Sequence, residues 1–333
     1  MSGASLKRIW WGLIVALFLF AQQVYADTGT LEVKGAVRKS LSFTLSDLKN
    51  MPQLYVSGVV RVEEKNAWND PEKDGGTNRY EGVLLRDILD KAGMKFVRKW
   101  EPGVLIRVKG AENREAVFSF GEIFYSSTGR SILVALKKDH SAINIDGGIG
   151  ELVVATDVRA GRYIKGVREV LVERVDIPLI AYTDKKKNIL RPPTTSFIII
   201  DHRTGKTKAL NHEDLSVLSQ VNLRNALMAG DCEGFNGVYG YEGPLLRSVL
   251  EWFGLTWADR DYGRYVVVSS EDGFCATFSL GELFNSRLDN NIIIAHKKNG
   301  AFLEPKGGFA TSVVGEDSMG GRSVKRIHKI EIY

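Results

Sequence analysis

The feature that most constrains the fold of this 333-residue chain is an internal repeat. Tyr80-Glu81-Gly82 recurs as Tyr241-Glu242-Gly243, about 160 residues further along the chain, and the leucine and arginine positions that follow stay in register. The same register relates Arg162 to Arg322 and Lys165 to Lys325 near the ends of the two halves. A match maintained over that distance indicates a tandem duplication, so both halves should fold into the same kind of unit.

Short apolar segments rich in β-branched residues predict strands in both halves. These segments are Val104 to Val108, Ile132 to Val134, Phe197 to Ile200, Tyr265 to Val268 and Ile292 to Ile294. Since these strands do not alternate strictly with helices, the sequence favours an α+β fold over a doubly wound sheet. We therefore expect two tandem copies of a strand-rich, mixed-sheet domain with a few short helices.

Helices are predicted at two related places in each copy. Thr44 with Asp47, and Asn211 with Asp214, have the spacing of an N-cap residue and the carboxylate three positions later. The leucines that follow each Tyr-Glu-Gly segment lie on one face of a second helix, which ends at a glycine.

The N-terminal residues have the order of a secretory signal. Lys7-Arg8 precedes the apolar run from Ile9 to Ala21, and the small-residue site Val24-Tyr25-Ala26 follows. A twin-Arg signal would have a second arginine in place of Lys7, so the Sec route is favoured and the protein is expected in the periplasm or secreted. No later stretch is long and apolar enough for stable membrane insertion.

Composition and charge set the remaining limits. We expect a signal peptide over residues 1–26, a first copy over 27–176, a polar linker over 177–195 and a second copy over 196–333. The chain has 45 Lys and Arg against 40 acidic residues, and interspersed charges of this kind argue against nucleic-acid binding. A duplicated unit can use its twin as a built-in partner, so we expect a monomer with the two copies packed together.

Motifs of the second copy carry a resemblance to a known family. Glu213-Asp214-Leu215, Gly243-Pro244-Leu245-Leu246, Ser270-Glu271-Asp272-Gly273-Phe274 and Gly321-Arg322-Ser323-Val324-Lys325 occur in order. In this order the chain resembles the molybdopterin-binding oxidoreductase domain, the sulfite-oxidase-like family, over nearly the whole mature sequence. The first copy lacks the Asp-Gly-Phe element. The resemblance implies the sulfite-oxidase-like fold for each copy.

The resemblance implies a metal ligand in the second copy. In that family a cysteine thiolate binds molybdenum about a dozen residues before the glycine of the helix, and Cys232 stands at that distance from Gly243. A soft, anionic sulfur suits this metal, although Asp231 and Glu233 should raise the pKa of the thiol. The alternatives are a disulfide with Cys275 or an inert thiol. The matching region of the first copy has no cysteine.

The resemblance also implies a phosphate site. Arg322 and Lys325 match the family turn whose basic side chains hold the pterin phosphate, and Arg162 and Lys165 match it in the first copy. Alternatively, these are exposed basic residues that stabilise a turn. Their presence in both copies favours a structural role, because the first copy keeps them without the metal ligand.

The histidines do not indicate a metal site. The five form no i, i+4 pair on a predicted helix and no cluster with cysteine, so no zinc site is predicted. His296 replaces Leu136 of the first copy and either lines a pocket or sits on an edge strand.

Together these observations predict an exported, cofactor-free binding or assembly module whose ligand is a protein or a small molecule. The alternative is a molybdenum-cofactor-dependent oxidoreductase that holds molybdenum-molybdopterin in the second copy, with Cys232 as metal ligand and Arg322 and Lys325 on the phosphate.

Overall fold

The structure is a computed structural model, and it describes residues 29–59, 77–94, 103–145, 147–175, 194–230, 234–255, 261–286, 292–303 and 308–333. The described residues form two strand-rich units, here called the first unit (residues 29–175) and the second unit (residues 194–333). The predicted signal peptide and nearly all of the predicted linker lie outside the described residues. Within the described residues, no helix is both long and apolar enough to span a membrane.

The first unit contains two sheets and three short α-helices among its described residues. Its elements are β1 (Thr30–Gly35), β2 (Leu41–Thr44), α1 (Leu45–Lys49), β3 (Leu54–Val59), β4 (Thr77–Leu84), α2 (Leu85–Lys91), β5 (Val104–Lys109), β6 (Glu115–Ser119), α3 (Phe120–Phe124), β7 (Ile132–Lys138), β8 (Ser141–Ala142), β9 (Ile149–Val154), β10 (Ile164–Val167) and β11 (Glu169–Arg174). One sheet has the order β2-β1-β11-β5-β6 and the other β10-β9-β7-β4-β3, with β8 paired to β7. Strands β1 and β11 are parallel, so the first sheet is mixed.

The second unit repeats this element order. Its elements are β12 (Ser196–Asp201), β13 (Thr207–Asn211), α4 (His212–Ser216), β14 (Gln220–Gly230), β15 (Gly234–Pro244), α5 (Leu246–Phe253), β16 (Tyr265–Ser270), β17 (Cys275–Ser279), α6 (Leu280–Phe284), β18 (Ile292–Ala295), β19 (Lys297–Lys298), β20 (Ala301–Phe302), β21 (Thr311–Val314) and β22 (Ile327–Ile332). The order β13-β12-β22-β16-β17 matches the first sheet strand for strand, and β12 and β22 are again parallel. The strands of its other half form a four-stranded sheet, β14-β15-β19-β20, and the pair β18-β21.

The helix starts follow from local hydrogen bonding. Thr44 caps α1 and Asn211 caps α4, each in a full capping box in which the side chain of Asp47 or Asp214 bonds back to the cap backbone. Helix α5 ends at Gly254, whose positive φ of 105° suits glycine. The predicted helix starts at Thr44 and Asn211 are therefore confirmed.

Each unit has its own hydrophobic core, made of the alternate inward-facing residues of its strands and the apolar face of its helices. Leu85, Ile88 and Leu89 of α2 and Leu246, Val249 and Leu250 of α5 are all completely buried. The prediction of an α+β fold in two strand-rich copies is confirmed. The predicted copy boundaries stay a prediction.

Candidate functional site

The three residues nominated from the sequence differ in whether the structure describes them and in how exposed they are. Cys232 lies outside the described residues, between β14 and β15. Lys325 is exposed at the surface of the second unit. Arg322 is 1% exposed and lies where the two units meet.

Arg322 is surrounded by acidic and hydroxyl groups. Its Nε and Nη2 donate to the two carboxylate oxygens of Asp317, at 2.7 and 2.6 Å, in a bidentate pair. Its Nη1 donates to Glu282 Oε1 and, at 3.3 Å, to Ser119 Oγ of the first unit. The guanidinium also lies over the ring of Phe278, 5.1 Å from its centroid. The donor groups with which Arg322 could bind an anion are therefore occupied by side chains of the protein itself.

Arg162 of the first unit has an equivalent environment, in which the roles of the two units are exchanged. Its Nε and Nη2 bond to Asp157 at 2.9 and 2.5 Å, and its Nη1 bonds to Glu122 at 2.5 Å and Ser279 of the second unit at 3.4 Å. The guanidinium lies 4.9 Å from the centroid of Phe118. The two arginines, with their paired carboxylates and serines, form one pseudo-symmetric cluster, here called the junction cluster: Ser119, Glu122, Asp157, Arg162, Ser279, Glu282, Asp317 and Arg322.

The serines of the junction cluster connect the units directly. Ser119 Oγ donates to Glu282 Oε2 and Ser279 Oγ donates to Glu122 Oε2, both at 3.0 Å. Each serine also caps the short helix that carries the glutamate of its own unit, α3 or α6, by accepting that glutamate's backbone N–H. Each hydroxyl thus bonds to a glutamate of both units, which fixes the relative position of α3 and α6.

Two further features follow the same symmetry. Val158 N donates to Asn285 O at 2.8 Å, and Ser318 N donates to Tyr125 O at 3.0 Å, so backbone bonds cross the junction on both sides. A Cβ at Gly121 would lie 2.3 Å from Cδ of Arg322. A Cβ at Gly281 would lie equally close to Cδ of Arg162. Only glycine leaves room for the arginine of the other unit at either place.

Burial dominates the electrostatics of the junction cluster. Burial, opposed by Arg162 and reinforced by the negative charge of Glu282, raises the pKa of Glu122 to about 7. Burial also raises the pKa of Asp157 and of Asp317, despite their arginine partners. For the arginines, burial acts to lower the pKa, but the paired carboxylates outweigh it and raise the pKa of both guanidinium groups. Both arginines are therefore fixed positive charges, matched by acids that are costly to ionise.

The arginine and the lysine of each basic turn differ in their exposure to solvent. The alternative that Arg322 and Arg162 are exposed turn residues is wrong, since both are buried. Lys325 and Lys165 are exposed, as that alternative expected. Lys325 is close enough to Lys298 for its charge to lower the pKa of Lys298, after the larger effect of burial. The Lys298 ammonium lies 3.5 Å from the ring centroid of Tyr239, so a basic and aromatic surface surrounds Lys325.

The hairpin that leads to Cys232 packs on the turn that carries Arg322. Ser323 Oγ donates to Met228 Sδ at 3.4 Å, and Met228 and Ala229 of β14 lie against Gly320. The β14–β15 hairpin also exposes Phe235 and Val238 to solvent. The structure thus brings together the hairpin and the turn that were nominated from the sequence.

Cys275, at the start of β17, is a free thiol among the described residues, and Cys232 lies outside them, so the alternative of a disulfide between the two stays a prediction. Its Sγ packs close to Gly103 of the first unit. Burial raises the pKa of Cys275 to about 11, so the thiol is protonated at neutral pH and a poor nucleophile.

Among the described residues, the turn of Arg322 does not provide the phosphate cradle that the resemblance implied for a pterin. A phosphate on Arg322 would have to displace the bidentate bond from Asp317 and the bond to Glu282 inside a buried interface. Among the nominated basic residues of the turn, only Lys325 remains at the surface as a point charge. As cofactor ligands, Cys232, Arg322 and Lys325 all stay predictions.

Sequence reasoning missed the acidic partners of the arginines. Glu122 with Glu282, and Asp157 with Asp317, occupy matching repeat positions, and that match was the available signal. It also missed that His212 and His296 lie side by side, with ring centroids 5.0 Å apart. Within the described parts of the chain, no group of three or more His, Cys, Asp and Glu could hold a metal ion.

Comparison with known proteins finds nitrate reductases among the similar sequences. Over 217 residues, 60% of this chain and 23% of the relative, the sequence is 22% identical to "Nitrate reductase [NADH] 2" of Nicotiana tabacum. It is 21% identical over 214 residues to "Nitrate reductase [NADH]" of Solanum lycopersicum, with the same coverage. The match thus spans about a quarter of the length of these relatives. The crystal structure of the sulfane dehydrogenase SoxCD from Paracoccus pantotrophus is similar with a TM-score of 0.36 and 13% identity, over 90% of this chain and 74% of that one.

The family model described as "Oxidoreductase molybdopterin binding domain" matches residues 20–177 and again residues 197–333. The two matches cover nearly all of the chain and fall on its two halves. The chain therefore belongs to the molybdopterin-binding oxidoreductase domain family.

Proposed function

We propose that this chain is an exported protein whose two family units serve as a binding or assembly module without a molybdenum cofactor. The supporting observation is the junction cluster, in which the arginine of each family turn is buried and paired with two carboxylates. In this proposal, the arginines of the two family turns, which are suited to bind an anion, instead join the two units of the duplicated chain.

The energetic cost of the alternative supports this proposal. Removing one partner from a buried ion pair leaves an uncompensated charge and costs about 3–5 kcal/mol. A phosphate that captured Arg322 would leave Asp317 and Glu282 in that state, each nearly inaccessible to solvent. The contact of that phosphate with Lys325, which is a point charge and no bidentate donor, would have to offset this cost.

Export is proposed on the sequence of the N-terminal segment, where Lys7-Arg8 precedes an apolar run and Val24-Tyr25-Ala26. Sec export carries unfolded chains, which agrees with a protein that needs no cofactor inserted before export. N-terminal sequencing of the protein from the periplasm or medium is expected to give a chain that begins after Ala26. Recovery of only the uncut chain from the cytoplasm would contradict export.

We also propose that the mature protein is a monomer, because the second unit already covers the junction face of the first. Ser119 and Ser279 bond across that face at 3.0 Å, so neither unit has its half of the cluster available for a second chain. Sedimentation equilibrium should give the mass of one mature chain. A stable dimer at micromolar protein concentration would contradict this part of the proposal.

One observation favours the second candidate, a molybdenum-dependent oxidoreductase with the cofactor in the second unit. The hairpin that leads to Cys232 packs against Gly320, and Lys325 lies beside Lys298 on the same unit. In this candidate a Cys232 thiolate would bind the metal and Lys325 would attract the phosphate. The cofactor would supply the redox chemistry, which is a property of the bound metal rather than of the chain.

The two candidates are separated by the composition of the purified protein. The full chain should be expressed in a host that makes molybdenum cofactor, and the mature protein assayed for molybdenum by mass spectrometry and for released pterin by fluorescence. Cys232→Ser is the test variant, and Cys275→Ser is the matched control. We expect no stoichiometric molybdenum or pterin in any of the three folded proteins. Stoichiometric metal that is lost in Cys232→Ser and kept in Cys275→Ser would overturn the proposal and establish the second candidate.

A further inference from the structure

The second unit contains a pair of neighbouring histidines, tilted against each other, that the first unit lacks. His212 is the first residue of α4 and His296 directly follows β18, and their ring centroids are 5.0 Å apart with an interplanar angle of 31°. His296 is 2% exposed. The matching residues of the first unit are Leu45 and Leu136, so two apolar side chains stand where the second unit has two imidazoles.

The hydrogen bonds of Gln220 determine the tautomer of neutral His296. Gln220 Nε2 donates to the carbonyl oxygens of Leu215 and Leu218, at 2.8 and 2.6 Å, so its Oε1 is the atom that faces His296. Since Oε1 only accepts, the contact of 2.9 Å requires a proton on His296 Nε2. The other ring nitrogen, Nδ1, must then carry a lone pair.

Ser216 determines the tautomer of neutral His212 in the same way. The Ser216 hydroxyl donates its single proton to the His212 carbonyl oxygen at 2.8 Å. The contact of 3.3 Å between Ser216 Oγ and His212 Nδ1 is therefore a weak bond donated by Nδ1–H. His212 Nε2 must then carry a lone pair.

Both lone pairs lack a partner. His212 Nε2 and His296 Nδ1 are buried, and neither atom has a hydrogen-bond partner among the described residues. A buried imidazole nitrogen without a partner is costly, so this arrangement calls for an explanation. Phe302 lies edge-on to both rings, with centroid distances of 4.6 and 5.8 Å.

We propose that His212 and His296 bind a Zn²⁺ ion through Nε2 and Nδ1, with water in the remaining coordination positions. Zinc is bound by neutral imidazoles whose other ring N–H is held by an acceptor, and Gln220 and Ser216 provide those acceptors. Two imidazoles on one tetrahedral zinc, at Zn–N distances of about 2.0–2.1 Å, place their centroids about 5 Å apart. The observed separation of 5.0 Å meets that requirement.

The first unit supplies the variants that test this site. Mature, chelator-treated protein should be titrated with Zn²⁺ alone against a fluorescent chelator, as wild type, His212→Leu, His296→Leu and the double variant. Leucine at both positions is what the first unit carries, so the double variant is expected to fold, which thermal unfolding will check. His202→Ala is the control, because His202 bonds to Glu331 and stacks on Tyr333.

We expect one zinc ion per chain in the wild type and in His202→Ala, and at least about tenfold weaker binding in each leucine variant. Ser216→Ala should weaken binding about tenfold without removing a ligand, as expected of a positioning residue. X-ray absorption of the zinc protein should show two imidazoles. Unchanged affinity in the folded double variant, or no saturable binding in the wild type, would overturn the proposal.

Discussion

The two units share the residues that join them and differ elsewhere in the fold. Arg162 and Arg322, with their paired acids, glycines and serines, are equivalent residue by residue. By contrast, β14 and β15 have 11 residues each whereas the described β3 and β4 have 6 and 8, and only the second unit has His212, His296 and a cysteine between the two strands. The residues that join the units are kept in both copies, as are the helix caps and core leucines, so a residue repeated in this chain points to structure. A residue found in one copy is the better indicator of function.

Removal of either arginine should have the largest effect on stability. Arg162→Met and Arg322→Met each leave two buried carboxylates without their cation, and each should lower the free energy of unfolding by about 3–5 kcal/mol. Urea unfolding measures this. Arg247→Met, in an exposed i, i+4 pair with Glu251, is the control and should cost no more than about 0.5 kcal/mol.

The comparison predicts two similar losses. If one arginine variant matched the control while the other lost several kcal/mol, the two halves of the junction cluster would not be equivalent.

The pH dependence of stability should identify Glu122. Its pKa is about 7 in the folded protein against an ordinary value of 4.5, so the folded state binds its proton more tightly than the unfolded state. This stabilisation is fully present below about pH 4.5 and is lost as the pH rises through 7, a change of about 3 kcal/mol. Glu122→Gln cannot titrate and should flatten that part of the profile.

Urea unfolding at a series of pH values from about 4.5 to about 8 makes the comparison between wild type and Glu122→Gln. Parallel profiles for the two proteins would show that Glu122 has the same pKa in the folded and unfolded states, contrary to its place in the junction cluster.

The glycines of the junction should show a smaller effect. Gly121→Ala and Gly281→Ala each place a Cβ 2.3 Å from Cδ of an arginine whose guanidinium is held by two carboxylates. The side chain cannot move away freely, so each substitution should cost about 1–3 kcal/mol by overpacking. Gly240→Ala is the matched control, since the nearest atom to its Cβ lies at 3.7 Å. Equal Tm values for all three variants would contradict the claim that a Cβ at Gly121 or Gly281 overpacks against the arginine.

Much of the fold could be predicted because its signals are local or repeated. The strand predicted from Val104 to Val108 is β5, and the capping boxes at Thr44 and Asn211 depend only on neighbouring residues. The duplication is visible because both copies keep the same register.

The site could be predicted less well, because its contacts join residues that are far apart in the chain. The bond from Ser119 to Glu282 joins residues 163 positions apart in the chain, and the contact between His212 and His296 also joins distant segments. Arg322 was recognised as a basic residue of a turn, but burial and ion pairing depend on the packing of the other unit. A single sequence does not show that packing.

We have proposed that the family turn of the second unit serves the joint between the units instead of a cofactor. The most direct measurement is the molar ratio of molybdenum to protein in the folded wild-type chain, purified from a host that makes the cofactor. We predict a ratio near zero, with no released pterin. A ratio near one, with an equal amount of pterin, would contradict the account.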